Sequence, residues 1–76
     1  MYSKAYAEIG KIIREARAKK EITQKELSLD LGFTSTQYIS NLERGITTMS
    51  GENLGKICAI LEIPASYIQK LLVDEY

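Results

Sequence analysis

The chain has 76 residues, 45% hydrophobic and 26% charged, with ten basic and ten acidic side chains, one cysteine and no histidine. That composition fits one small globular domain spanning residues 1–76 rather than a disordered tail. With no histidine, no paired carboxylates and no glycine-rich phosphate loop, it lacks the usual groups of acid–base, nucleophilic and metal chemistry. The expectation is a non-enzyme with no cofactor and no metal.

No apolar run is long enough for a membrane span, the first residues lack a signal-peptide core, and a lone cysteine suits a reducing compartment. A cytoplasmic protein is therefore expected. The zero net charge argues mildly against a nucleic-acid partner, but the charge is unevenly spread. Residues 1–25 hold seven basic and three acidic side chains, a net of plus four, and the remainder carries minus four. A basic region can meet phosphates while a distant acidic one keeps the protein soluble.

In chain order, Ala5, Ile9, Ile12 and Ala16 recur at three-and-four spacing with Ile13 beside them, which predicts a first helix from about Ser3 to Lys20. Ile22 plugs the corner that follows. Thr23 and Glu26 form a capping-box pattern for a second helix, whose inner face holds Leu27 and Leu31 and which Gly32 ends. Leu29 lies off that face, either against the first helix or exposed. A third helix starts near Ser35, which can cap it, and ends at Gly45. Its Ile39 and Leu42 point one way, and Thr36, Gln37, Ser40, Asn41 and Arg44 the other.

That polar face carries amides and hydroxyls instead of the Glu–Lys pairs common on solvated helices. Such groups both donate and accept hydrogen bonds, so they can read base-pair edges in a major groove that admits one helix. Thr36, Gln37, Ser40 and Asn41 are the candidate base readers, and Gln37 suits a bidentate contact to adenine. The plainer alternative is a solvent-facing helix that happens to be polar. Lys25, Arg44, Thr47 and Thr48 are candidates for phosphate contacts. Tyr38 fits either a phosphate contact through its hydroxyl or simple core packing.

Ser50 can cap a fourth helix, with Met49 and Leu54 as a hydrophobic staple. Leu54, Ile57, Cys58 and Leu61 mark its buried face, so Cys58 reads as a small hydrophobe. Pro64 can open a last helix over residues 64–73, rich in apolar side chains. Tyr67, Ile68, Leu71 and Leu72 either form a surface for a second copy of the chain or complete its own core.

The string Thr-Gln-x-x-Leu, then Leu-Gly, then Ile-Ser-x-x-Glu-x-Gly, running from Thr23 to Gly45, resembles the helix-turn-helix of phage Cro and repressor proteins, the XRE family. The likeness extends from about Ile9 to Ile63. It implies an all-α, compact five-helix bundle of the lambda-repressor type. It also implies a largely buried ion pair between Arg17 and Glu43, and a phosphate contact from Gln24 that braces the reading helix. Two departures stand out. Ser28 replaces the family's usual alanine, and the turn between Gly32 and Ile39 is one residue longer than the commonest form.

The function implied is a sequence-specific transcriptional regulator that binds a near-palindromic duplex as a homodimer, with double-stranded DNA as partner and no small-molecule effector. The competing expectation is a protein-interaction module or antitoxin-type partner in which DNA binding is secondary.

Overall fold

The computed structural model describes residues 4–47 and 50–73, with backbone alone for residues 72 and 73. Five helices follow in order: α1 (Lys4–Lys19), α2 (Gln24–Asp30), α3 (Gln37–Glu43), α4 (Gly51–Leu61) and α5 (Ala65–Val73). α1 is the central strut, packing against α3, α4 and α5, while α2 leans on α3 and α4 on α5. The core they enclose contains Ile9, Ile13, Leu27, Ile39, Leu42, Ile57, Leu61 and Ile68.

The buried stripe of α1 runs through Ala5, Ile9 and Ile13, at strict i, i+4 spacing. Ile12 and Ala16, expected on that stripe, are only partly buried and flank the core. Gly10 explains the rotation. A Cβ there would lie 2.5 Å from the carbonyl oxygen of Leu42 and 2.6 Å from that of Glu43. Only glycine lets two helix backbones approach so closely, so α1 turns its Gly10 edge to the end of α3.

The capping box of α2 is complete. The Glu26 N–H donates to Thr23 Oγ1 at 3.0 Å, and the Thr23 N–H donates to Glu26 Oε1 at 3.1 Å. Two of the helix's otherwise unsatisfied donors are thereby paired. At its other end the Phe33 N–H reaches back to the Ser28 carbonyl and that of Gly32 to Leu29, with Gly32 at φ +85°. This is the paired closure that a left-handed residue after a helix permits.

α3 begins later than the sequence suggests. Thr36 occupies the cap position in a right-handed conformation without a side-chain cap bond. The hydroxyl of Ser35 receives only a long bond, 3.4 Å, from the Gln37 N–H. Gly45, just past the end of α3, has φ +76°, and a Cβ there would sit 2.9 Å from Ala7 Cα, so α1 and the turn that closes α3 meet at a second backbone contact.

Ser50 Oγ accepts from the Asn53 N–H at 3.3 Å and caps α4. Met49, the expected staple partner of Leu54, lies outside the described residues. Leu54, Ile57, Cys58 and Leu61 are all buried. Burial pushes the Cys58 thiol pKa up, which keeps it protonated and inert. Pro64 stands just before α5, its carbonyl accepting from the Tyr67 N–H.

Candidate nucleic-acid interface

The polar side of α3 is held from behind by a buried ion pair. Arg17 donates to Glu43 through Nε at 2.7 Å and Nη2 at 3.0 Å, and through Nη1 to the Ile22 carbonyl at 2.9 Å. The Glu43 side chain is 3% exposed and that of Arg17 17%. Hydrogen bonding to the Glu43 carboxylate raises the Arg17 pKa, assisted by the opposite charge and opposed by burial. Gln24 Nε2 adds a third bond to the same carboxylate, at 3.1 Å to Oε1. One buried glutamate thus ties α1, the start of α2 and the end of α3 together. The sites in which this pairing leaves its lone pairs well satisfied are those where a buried charge is tolerable.

In front of that clamp, Ile39 and Leu42 are fully buried while Thr36, Gln37 and Arg44 are exposed and Ser40 and Asn41 half-buried. The outward amides are linked to one another: Gln37 Nε2 donates to Asn41 Oδ1 at 2.9 Å, and Arg44 Nη2 to the same oxygen at 3.4 Å. The result is a hydrogen-bonded strip from Gln37 through Asn41 to Arg44, just past the end of α3. Lys25 is exposed and lines a shallow pocket with Thr36.

The other phosphate candidates are more varied. Gln24 is half-buried and engaged with Glu43. Tyr38 is half-buried, its ring stacked on Phe33 with centroids 4.9 Å apart and 26° between planes. The stack braces the long α2–α3 turn, a contact that no periodicity in the sequence signals. Thr47 is half-buried just after Gly45, and Thr48 lies outside the described residues.

The dimer candidates divide. Ile68 is 2% exposed and packs into its own core, so it is removed from the expected interface: α5 spends that side chain on closing the bundle. Leu71 is half-buried against the same core, and the side chain of Leu72 lies outside the described residues. Tyr67 stands 58% exposed. It rims a groove of about 500 Å³ floored by Ile12, Ala16, Leu61 and Pro64. Lys20 and Glu62 form an ion pair at the same rim, and hydrogen bonding to Lys20, then its charge, lowers the Glu62 pKa. Leu29, left open by the sequence, is 60% exposed. Among the described residues no group of acidic, cysteine or histidine side chains could hold a metal, and no helix is long and apolar enough to cross a membrane.

A protein family described as helix-turn-helix matches residues 13–68, a span that takes in α2, α3 and α4 whole. The transcriptional regulator ClgR of Mycobacterium tuberculosis (strain CDC 1551) is 37% identical over 60 residues, which cover 79% of this chain and 53% of that protein. The chain spans about half the length of the curated relatives it matches. Among solved structures, the restriction-modification controller protein C.AhdI from Aeromonas hydrophila superposes with a TM-score of 0.72 at 27% identity, covering 83% of this chain and 94% of the other. The master regulator for biofilm formation SinR, in complex with DNA, superposes with a TM-score of 0.69 at 29% identity, covering 80% and 97% respectively.

Proposed function

The chain belongs to the helix-turn-helix family of XRE type, and from that premise we propose that it is a transcriptional regulator that binds duplex DNA sequence-specifically as a homodimer. The observation that carries this reading is the strip Thr36, Gln37, Ser40, Asn41 and Arg44. It is uncharged but for its last residue, turned outward, and mounted on a helix whose opposite side is fully buried. A helix in the major groove presents such groups to base edges.

Lys25 and Arg44 set the register through phosphates, with Tyr38, Thr47 and Gln24 beside them. Gln24 does so while bound to Glu43, so its contact also reports the position of α3. The SinR structure, solved with DNA, lends support from a related fold. Two copies reading successive grooves need their α3 helices about 34–36 Å apart. The chain measures 32 × 25 × 21 Å, so two copies side by side span that distance without a further domain between them.

The test is selection of bound duplexes from a random pool at two salt concentrations. We expect a near-palindromic site with half-sites one helical turn apart, and an affinity that falls as salt rises. Recovery of no sequence preference at low salt would overturn the reading. A second reading, a module that docks another protein, is favoured by exposed Leu29 and Tyr67. It predicts that their replacement leaves binding to a single half-site unchanged.

A further inference from the structure

We propose that Asn41 is a positioning residue: it fixes which way the amide of Gln37 faces, and through it which base edge Gln37 can accept. The inference rests on the DNA-binding reading above and concerns how that reading achieves specificity.

A guanidinium can only donate hydrogen bonds. Arg44 Nη2, 3.4 Å from Asn41, therefore faces the carbonyl end of that amide, Oδ1. The same oxygen is the one 2.9 Å from Gln37, so Gln37 must turn its own NH2 group towards it. Polarity passes along the helix from Arg44 to Asn41 to Gln37, each one turn from the next.

Gln37 gives one of its two N–H groups to Asn41. We take the N–H anti to the carbonyl as the one donated; the other N–H and Oε1 then stay side by side on the free edge of the amide. That edge is one donor next to one acceptor, the complement of adenine, whose N7 accepts and N6 donates in the major groove. Guanine offers two acceptors there and rejects the carbonyl. Without the bond to Asn41 the exposed Gln37 side chain rotates freely, and its amide can swap ends to suit other bases. Ordering it in advance removes an entropic cost of binding and one route to the wrong base.

The experiment compares wild type with Asn41→Ala, Asn41→Asp and Gln37→Ala, scoring binding against duplexes varied one base step at a time. Asp keeps acceptors for both Gln37 and Arg44, whereas Ala removes them. A bidentate contact gives about 5- to 150-fold preference at its step. Asn41→Ala should lose most of that preference at the step Gln37→Ala also flattens. Asn41→Asp should keep it there while binding all duplexes more weakly, because it adds a negative charge beside the phosphates.

If Asn41→Ala leaves the preference intact, or if Asn41→Asp abolishes preference at a different step, Asn41 is a direct reader or a bystander and the inference is overturned. If Gln37→Ala changes no step at all, the base-reading role of Gln37 fails first, and the relay with it. Retention of the step by Asn41→Asp and its loss in Asn41→Ala would support the relay, since a purely structural role does not distinguish the two.

Discussion

The hydroxyl of Ser28 is 2% exposed and meets no hydrogen-bond partner among the described residues. An unmade bond of this kind costs about 1–3 kcal/mol, so Ser28→Ala should stabilise the domain by roughly 1 kcal/mol, or about 4–8 °C in Tm. A lower Tm would mean the hydroxyl is paired after all. Arg17 predicts the opposite. Arg17→Ala strands the Glu43 carboxylate, 3% exposed and deprived of two of its three donors. It should cost about 3–5 kcal/mol, a large share of the roughly 5–15 kcal/mol that holds such a domain together. A loss under about 1 kcal/mol in urea titrations would show the pair to be dispensable. Both residues came to notice through the resemblance, which implied the Arg17–Glu43 pair and marked Ser28 as a departure from the usual alanine. Neither Ser28's burial nor the pairing of charges 26 positions apart follows from local spacing. The third donor to Glu43, Gln24, was legible only as a phosphate contact, because nothing in local spacing shows where a flexible amide turns.

Four helices end alike. Residues Glu21, Gly32, Gly45 and Glu62 all have positive φ, and each is followed by an apolar residue, Ile22, Phe33, Ile46 or Ile63, whose N–H bonds back to the last turn. The two glycines were readable as stops. The two glutamates were not, since an L side chain at that φ costs about 1–2 kcal/mol and looks unsuitable. The apolar residue after each is what pulls the chain round. Glu21 is exposed, so Glu21→Gly should relieve the strain and raise stability by up to about 1 kcal/mol; an unchanged urea midpoint would show that the strain is absent.

At the other end of α2, hydrogen bonds from Thr23, first from its backbone N–H and then from its side chain, hold the Glu26 pKa below the usual carboxylate range. A carboxylate whose pKa is lowered on folding adds stability at neutral pH and loses it as pH falls through the folded value. Glu26→Ala should therefore unfold at lower urea than wild type at about pH 7, with the gap closing towards about pH 3. A gap that stays constant would remove the charge from the explanation. The long α2–α3 turn was harder to read: the Phe33–Tyr38 stack lies across it, and the cap of α3 falls at Thr36 rather than the expected Ser35.

Across the whole molecule, the bundle was legible because its periodic apolar positions are long and regular, yet the boundary between core and surface was not. Ile68 and Tyr67 are neighbours on one helix, and only their surroundings decide that one is sealed and the other 58% exposed. If Tyr67 meets a second copy, Tyr67→Asp should weaken self-association in sedimentation equilibrium while leaving the Tm of the monomer within a few degrees. Unchanged association would move the interface elsewhere. The glycine at position 10 carries a wider implication. With the carbonyls of Leu42 and Glu43 set close against the bare backbone of Gly10, the end of α3 meets α1 with no side chain between them to let it slide. On the proposed reading, a duplex with the wrong groove shape would not be met halfway by tilting α3. If two copies read one duplex as proposed, the nucleic acid has to bend to the protein, and flexibility between half-sites would become part of the address.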